Sequence, residues 1–118
     1  MSAQVEAARA YVAALLTHDG SSVPYAPDAV RYEYGIKTGR SGNHLRRSLS
    51  RGRQFRVIRR IRDERYSVSG DEVVADYLLD AGLPGRILVT VRVHERFRIP
   101  AADPRIHRID ARIERVGR

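Results

Sequence analysis

The stretch from Ile87 to Phe97, which reads ILVTVRVHERF, decides the fold class of this chain. Every second residue from Ile87 onward is apolar except Glu95, and the alternate positions from Thr90 to Arg98 are polar or basic. A period of two is typical of a β-strand with one apolar face and one polar face. Such a strand needs partners at its edges and a cover over its apolar face. The stretch therefore predicts a sheet with helices packed on it.

Strands of the same character flank this stretch. Turn residues separate them at Gly70-Asp71, Leu83–Gly85 and Pro100–Pro104. Short links between successive strands predict an antiparallel meander. The other candidate strands are Ala29–Tyr34, Val57–Ser69, Glu72–Ala81 and Ile106–Val116.

Two segments have the helical periodicity needed to cover the sheet. Apolar residues recur at helical spacing over residues 3–17, and Gly20 follows as a stop signal. Ser41 can cap a second helix that runs to about Arg51. A length of 118 residues fits one domain, so we expect a single α+β domain over residues 1–118.

Composition excludes several classes of protein. No apolar run approaches the roughly 18 residues that a membrane span needs, so we expect no membrane association. The first nine residues lack the basic start and apolar stretch of a secretory signal. The chain contains no cysteine, which excludes disulfides and thiol chemistry and is compatible with a reducing compartment. These features together predict a cytoplasmic protein.

The net charge of +8 is almost entirely arginine, since Lys37 is the only lysine. Arginines on the predicted strands alternate with apolar residues, and Asp76, Asp110 and Glu114 are available as cross-strand partners. The stretch Arg56–Arg65 holds five arginines, but no aromatic residues interleave them as in a single-strand-binding platform. We therefore expect a solvated, salt-bridged outer face, and we do not expect nucleic acid as a partner.

Motifs for metals and cofactors are missing from the sequence. The four histidines are scattered, without cysteines or a His-x-x-x-His pair. The glycines between Gly35 and Gly42 lack the Lys-Ser/Thr ending of a phosphate loop. We therefore expect no metal and no organic cofactor.

Glu95 is the residue that points to chemistry. A carboxyl on the apolar face would be desolvated, which raises its pKa, and it would need a polar partner. His107, on the same face of the neighbouring strand, could supply that partner. Alternatively, Glu95 lies at the rim of the sheet in a structural ion pair with His107 or an arginine.

Four short stretches also resemble one family of proteins, in the same order along the chain. They resemble stretches of the ketosteroid isomerase/SnoaL-like group of the NTF2-like superfamily. The stretches are Tyr11-Val12-Ala13-Ala14-Leu15 followed by Asp19, then Tyr25-Ala26-Pro27-Asp28-Ala29, then Arg40-Ser41-Gly42 with Leu45-Arg46, and finally Glu95-Arg96-Phe97-Arg98.

This resemblance implies a fold and a choice of functions. The fold would be the cone-shaped NTF2-like (cystatin-like) fold, in which a curved antiparallel sheet and N-terminal helices surround a pocket. The protein would be a cofactor-independent small-molecule enzyme of the isomerase, cyclase, dehydratase or epoxide hydrolase type. Alternatively, it would bind a hydrophobic ligand without catalysis or act as a dimeric interaction protein. The resemblance further implies a homodimer and a small hydrophobic ligand.

The resemblance also implies roles for three residues. Tyr11 and a protonated Glu95 stand at the positions of an oxyanion hole, and Glu33 stands at the position of the general base. If Glu33 does not serve as the general base, Glu64 is the alternative. Tyr11 could equally be a core tyrosine with a satisfied hydroxyl.

The orientation of Glu33 is an open question in the sequence. Val30, Tyr32 and Tyr34 alternate as the apolar side of their strand, which would turn Glu33 outward with Arg31. A β-bulge would reverse this. The expected pocket wall, besides the three catalytic candidates, consists of Tyr32, Tyr34, Glu64, Tyr77, Val91, Val93, Phe97 and His107.

Overall fold

The computed structural model describes residues 2–52 and 56–117. Two helices pack on a six-stranded sheet, so the predicted α+β class is correct. The helices are α1 (Ala3–Thr17) and α2 (Gly42–Arg51). The strands are β1 (Tyr25–Glu33), β2 (Ile36–Gly39), β3 (Ile58–Ser69), β4 (Glu72–Leu83), β5 (Arg86–Arg98) and β6 (Ile106–Gly117).

The sheet is mixed, with the strand order β2-β1-β6-β5-β4-β3. The strands from β3 to β6 form the predicted antiparallel meander, whereas β1 lies parallel to β6. The predicted antiparallel sheet thus includes one parallel pair, β1 with β6. Short links impose antiparallel pairing only on strands that follow each other directly, and β1 and β6 are separated by most of the chain.

Local signals explain both helices. The Ser2 side chain accepts a hydrogen bond from the amide of Val5 and starts α1, and His18 ends this helix in a left-handed conformation (φ 59°). Ser41 caps α2, as the sequence predicts, by accepting from the amide of His44. Residues Ile36–Gly39 form the short strand β2 against β1.

The core lies between the helices and the inner face of the sheet. Phe97 is fully buried and meets the ring of Tyr11 edge-on, with ring centroids 5.4 Å apart. Leu15 of α1 and Leu45 and Leu49 of α2 are also buried. Burial of these side chains holds both helices on the sheet, because each contributes about 1.5–3 kcal/mol relative to exposure.

The outer face of the sheet carries the arginines and their partners. Asp80 is fully buried there and binds Arg60 and Arg62 at 2.7 Å and 3.0 Å. His94 pairs with Asp76, and Arg108 pairs with Asp110. Arg60 and Arg62 of the arginine-rich stretch Arg56–Arg65 are therefore engaged in ion pairs. None of the helices in the described residues is long and apolar enough to cross a membrane.

Candidate functional site

A cavity of about 380 Å³ lies between α1, β1 and the inner face of β4–β6. Most of its wall is apolar, and a small group of polar side chains interrupts it. The apolar lining is Leu15, Val57, Ile58, Leu79, Ala81, Val91, Val93 and Ile113. The polar lining is Tyr11, Arg31, Glu33, Thr38, Tyr77 and Glu95.

Glu95 is the buried acid of this polar group. Its side chain is fully buried, and its Oε1 accepts a hydrogen bond of 2.5 Å from the Tyr77 hydroxyl. Its Oε2 has no hydrogen-bond partner among residues 2–52 and 56–117. The nearest cation to Oε2 is Arg31, with Nη2 at 3.9 Å. One oxygen of Glu95 is therefore hydrogen-bonded, and the other is buried without a hydrogen bond within the described residues.

Arg31 connects the other polar side chains of the cavity. Its Nε donates to the Tyr11 hydroxyl at 3.2 Å, and its Nη1 donates to Thr38 at 2.9 Å. Its Nη2 donates to Oε1 of Glu33 at 3.4 Å. The side chain of Arg31 is only 13% exposed, so this guanidinium belongs to the cavity and not to the surface.

The register of β1 turns Arg31 and Glu33 toward the cavity. Arg31 lies beside Ile109 of β6, and Glu33 lies beside Ala111, which are both inner-face residues. The pairing of β1 shifts by one step next to Tyr32. The extra residue of this shift is Thr38 of β2, and the alternation within β1 is unbroken from Val30 to Glu33. The sequence therefore grouped Arg31 with Glu33 correctly, but the face that carries them is the inner one.

Burial dominates the electrostatics of the cavity. Desolvation raises the pKa of Glu95 above its ordinary value, although the charge of Arg31 and the hydroxyls of Tyr77 and Tyr11 act against this. Burial also raises the pKa of Tyr77 and of Tyr11. The neighbouring Tyr11 and Glu95 raise the pKa of Arg31, which therefore stays charged. Neutral hydroxyls thus lie beside one permanent cation and one carboxyl whose pKa burial raises.

Five of the expected wall residues lie away from this cavity. Tyr32 lies on the outer face, where the guanidinium of Arg108 covers its ring at 4.4 Å. The side chain of Tyr34 is 60% exposed, and its hydroxyl binds the backbone of Ile113. Tyr32 follows from the reversed faces of β1, whereas Tyr34 lies in the turn after this strand with a φ of 51°. Phe97 lies on the inner face as expected, but it packs into the core against Tyr11 and does not line the cavity.

Glu64 is the fourth of these residues. The register of β3 shifts between Arg62 and Arg65, and Asp63 adopts a positive φ of 55°. Glu64 is consequently exposed and accepts a hydrogen bond from the hydroxyl of Tyr66. It is not placed to act as the substitute base.

His107 is a further correction. Its Nε2 lies 2.8 Å from Oδ2 of Asp103, in the turn before β6. The expectation that His107 is the partner of Glu95 was wrong, because Glu95 lies opposite Ala111 in the ladder between β5 and β6, four residues from His107. The partner of Glu95 is Tyr77, which the sequence predicted as a wall residue.

Sequence reasoning missed Arg31 and Thr38. Both are ordinary surface residues by type, and the apolar alternation of Val30, Tyr32 and Tyr34 indicated the opposite face. The sequence did contain one indication. Arg31 and Glu33 are two residues apart, so they share a strand face whichever way the strand turns.

A smaller cavity of about 50 Å³ adjoins the other side of Arg31. Tyr25, Ser48 and Leu49 contribute to its wall, and it shares Tyr11, Arg31 and Thr38 with the larger cavity. The described part of the chain contains no group of three or more His, Asp or Glu side chains that could hold a metal ion.

Solved structures share this fold along nearly the whole chain. A candidate SnoaL-like polyketide cyclase from Shewanella denitrificans is 19% identical, with a TM-score of 0.70 and coverage of 94% of this chain and 90% of that one. A cystatin-fold protein from Novosphingobium aromaticivorans is 18% identical, with a TM-score of 0.72 and coverage of 94% and 97%.

A third structure is a hypothetical protein with a ketosteroid isomerase-like fold from Catenulispora acidiphila, in complex with trimethylamine. It is 14% identical, with a TM-score of 0.70 and coverage of 90% of this chain and 83% of that one. These likenesses show that the chain has the NTF2-like fold that its sequence resembles.

No curated protein matches the chain. Residues 1–113 match the model of a family that carries the description "Domain of unknown function (DUF8021)". That match covers almost the entire chain, and this protein belongs to the DUF8021 family.

Proposed function

We propose that this protein is a small-molecule enzyme that uses general acid–base chemistry in the 380 Å³ cavity. The observation that carries the proposal is the environment of Glu95. Its carboxyl is fully buried in the cavity wall, with one oxygen bound by Tyr77 and the other unpartnered within the described residues. A desolvated carboxyl with a raised pKa in a ligand-sized cavity is a typical functional group.

Hydrogen-bond accounting supports a role for Glu95 and Tyr11 as donors. Oε1 of Glu95 accepts from Tyr77, so the proton of a neutral Glu95 resides on Oε2, which faces no other partner in the described chain. The Tyr11 hydroxyl accepts from Arg31, so its own proton can be donated to the neighbouring Glu95 or to a ligand. Two such donors aimed at one ligand oxygen would stabilise negative charge that develops on it.

Glu33 is the proposed proton acceptor. Its side chain is 37% exposed, lines the same cavity and touches Arg31 at 3.4 Å. In the proposed step, Glu33 removes a proton from a carbon next to a carbonyl, and the electron pair moves onto the carbonyl oxygen. Tyr11 and Glu95 bind that oxygen, and the proton then returns to the substrate at another position.

The proposed reaction class is isomerisation or cyclisation of a small, largely apolar carbonyl compound. The apolar wall of the cavity favours such a ligand. Several proteins of the same fold carry descriptions of this kind, such as the candidate polyketide cyclase from Shewanella denitrificans. Dehydration and epoxide hydrolysis would use the same acid and base on a different leaving oxygen.

The first test is an NMR titration of the Glu95 carboxyl, assigned by comparison with Glu95→Gln. We expect the pKa of Glu95 to lie above 4.5, its ordinary value, because burial raises it. Glu114 is exposed and provides an internal control in the same spectrum. Titration of Glu95 as an ordinary exposed carboxylate would overturn the proposal.

The second test follows the exchange of deuterium from heavy water into bicyclic ketones such as 2-tetralone, together with the hydrolysis of a bicyclic epoxide. We expect wild-type protein to accelerate at least one of these reactions, and Glu95→Gln and Tyr11→Phe to slow it by about 100-fold or more. Glu114→Gln should react like wild type. Retained turnover in both site variants would refute the assignment.

A second candidate function is ligand binding without catalysis, which the apolar part of the cavity wall around Leu79 and Val91 favours. This function predicts that Glu95→Gln and Tyr11→Phe still bind a bicyclic ketone, while wild-type protein leaves the ketone and the epoxide unchanged. Affinity and turnover measured on the same probes therefore separate the two functions.

We also propose that the protein is a homodimer. The outer face of the sheet offers a groove of about 570 Å³ in which Tyr32, Tyr34 and several arginines lie among acidic residues. A face with both signs of charge can be complementary to a second copy of itself. Sedimentation equilibrium tests this, and a mass of 13.4 kDa at high micromolar concentration would exclude it.

A further inference from the structure

Arg31 is the charged residue of the cavity that the proposed acid–base step does not use. Its side chain is 13% exposed and lies at the junction of the 380 Å³ cavity and the 50 Å³ cavity. Removing a charge from water is costly unless partners compensate for it. The partners of the Arg31 guanidinium, and the N–H groups that they leave unused, therefore indicate what else it is able to bind.

The hydrogen bonds of Arg31 leave part of the guanidinium unused. An arginine carries five N–H donors. Within residues 2–52 and 56–117, Nε binds Tyr11, Nη1 binds Thr38 and Nη2 binds Glu33. Each terminal nitrogen thus retains one N–H without a partner in the described chain, and these nitrogens belong to a side chain that lines both cavities.

The anionic partners of Arg31 are also weakly placed. The contact with Glu33 is long, at 3.4 Å, and the Glu33 side chain is 37% exposed and can turn toward solvent. The contact with Oε2 of Glu95 is 3.9 Å, which is outside hydrogen-bond distance. Charge-assisted pairs in proteins are usually shorter, about 2.7–2.9 Å. The cation is consequently available to a better-fitting anion.

Neighbouring groups add donors around the same point. The Tyr11 hydroxyl accepts from Nε of Arg31 and retains its own proton to donate. Oε2 of Glu95 lies 3.9 Å from Nη2 and has no hydrogen-bond partner in the described residues, so it can donate to a ligand oxygen when Glu95 is in its neutral form. These two donors and the free N–H groups of Arg31 form a cradle for oxygen atoms that carry negative charge.

We infer that Arg31, with Tyr11 and Glu95, forms a carboxylate-binding subsite, and that the ligand of this cavity is a small apolar carboxylic acid. The carboxylate binds the free N–H groups of Arg31 and displaces the long contact to Glu33. The apolar body of the ligand lies along Leu79, Val91 and Val93. This inference rests on the proposed function in that both assign the ligand to the same cavity, and it adds the class of substrate.

The displacement of Glu33 links recognition to the proposed chemistry. Once the ligand carboxylate occupies Arg31, the Glu33 carboxylate loses its contact with the guanidinium and is free to accept a proton. A carbonyl compound that also bears a carboxylate would therefore both anchor itself and release the base. A neutral ketone of the same shape would leave Glu33 in contact with Arg31, so it would still react, but more slowly.

The experiment compares two probes that differ in charge and share shape and apolar area, 2-naphthoate and 2-naphthamide. Each is titrated at pH 7.5 into ¹⁵N-labelled wild-type protein, Arg31→Met and Arg92→Met. Arg92 is exposed on the outer face, so its variant loses the same charge away from the cavity. NMR shift changes give the affinity and the residues that respond.

We expect 2-naphthoate to bind wild type about tenfold or more tightly than 2-naphthamide, with shifts at residues of β1, β4 and β5 around the cavity. Arg31→Met should remove this preference and leave 2-naphthamide affinity within about twofold. Arg92→Met should keep the preference. Arg31→Lys, which retains the charge, should keep part of it and serves in place of Arg31→Met if that variant does not fold.

Several results would overturn the inference. Equal binding of the two probes to wild type would do so, and so would no binding of either probe at millimolar concentration. An unchanged preference for 2-naphthoate in Arg31→Met, or in a folded Arg31→Lys, together with loss of the preference in Arg92→Met would also do so. Failure of the proposed function is recognised separately. In that case 2-naphthoate would still be preferred through Arg31, while Glu95 would titrate as an ordinary carboxylate and no probe would turn over.

Discussion

The hydroxyl of Tyr77 on β4 donates a hydrogen bond of 2.5 Å to Oε1 of Glu95 on β5. Tyr77 lies opposite Val93 in the ladder and Glu95 lies opposite Ala75, so the bond runs diagonally across the two strands. Both side chains are buried. The bond fixes which oxygen of Glu95 is an acceptor and leaves the other oxygen toward the cavity.

The first prediction concerns Tyr77→Phe. This change removes the donor to Oε1 and leaves a buried carboxyl oxygen unsatisfied, which should lower the free energy of unfolding by about 1–3 kcal/mol. Because the Tyr77 hydroxyl lowers the pKa of Glu95, its removal should also move that pKa further upward. Urea unfolding and an NMR titration of the Glu95 carboxyl measure the two effects.

Tyr66→Phe is the matched control, since the hydroxyl of Tyr66 donates to the exposed Glu64. It should change the free energy of unfolding by less than about 0.5 kcal/mol and leave the titration of Glu95 as it is. An unchanged titration of Glu95 in Tyr77→Phe would show that the diagonal bond does not influence the acid.

The second prediction concerns the pH dependence of stability in Glu95→Gln. The folded state raises the pKa of Glu95 above the ordinary value of 4.5, so this group contributes stability that is present below 4.5 and is lost as the pH rises through the folded pKa. Glutamine does not titrate. The stability of Glu95→Gln relative to wild type should therefore increase with pH.

Thermal unfolding from pH 4 to pH 8.5 checks this second prediction. The difference in Tm between the variant and wild type should move in favour of the variant across this range. Glu114→Gln, at an exposed residue on the outer face, should follow wild type in parallel. A difference that stays constant with pH would mean that Glu95 has the same pKa in the folded and unfolded chain.

The alternation of β5 was enough to find Glu95 from the sequence. Long strands in a meander hold their faces over many residues, so Val91, Val93 and Glu95 share the inner face as predicted. The same reasoning failed in β1. That strand is short, pairs in parallel with β6 and shifts its register at Tyr32, so a few apolar residues did not determine which side faces the core.

The inner face of β1 was mispredicted because tyrosine and arginine side chains have both apolar and polar parts. Tyr32 is stable on the outer face because Arg108 covers its ring, and Arg31 is stable inside because Tyr11 and Thr38 accept from it. Residue type alone therefore could not choose the face. The error at Glu64 has a different origin, since a bulge with a positive φ at Asp63 gives no clear sequence signal.

The third prediction concerns Asp80→Asn on the outer face. Asp80 is fully buried and accepts hydrogen bonds from Arg60, Arg62 and Thr90. The hydrogen bond from Arg62 lowers the pKa of Asp80 well below its ordinary value of 3.8. The variant should lower Tm by about 5 °C or more at pH 7, because charge-assisted hydrogen bonds become weaker neutral ones.

The sign of the pH effect is opposite to that of Glu95. A lowered folded pKa contributes stability that is present above 3.8 and is lost as the pH falls toward the folded pKa. Urea unfolding at pH 7 and pH 3 should show a smaller gap between Asp80→Asn and wild type at pH 3. Asp110→Asn, whose pair with Arg108 is exposed, should have little effect at either pH, and an equal loss in both variants would contradict the argument.

The last prediction concerns Gly42, the first residue of α2. A Cβ atom at this position would lie 2.5 Å from the backbone oxygen of Ala26 and 3.1 Å from Cβ of Tyr25. Alanine is a better helix former than glycine, so propensity alone favours Gly42→Ala. The clash is with backbone, which has no rotamer to move away, and we expect it to outweigh propensity.

Gly42→Ala should therefore lower the free energy of unfolding by about 1–3 kcal/mol in urea. Because α2 packs on β1, displacement of its first turn should also shift NMR signals of Arg31 and Tyr25. Arg47→Ala, at an exposed position of the same helix, should leave both stability and these signals near wild type. A more stable Gly42→Ala would mean that α2 has room to move away from β1 and that the wall around Tyr25 and Arg31 is less rigid than the packing implies.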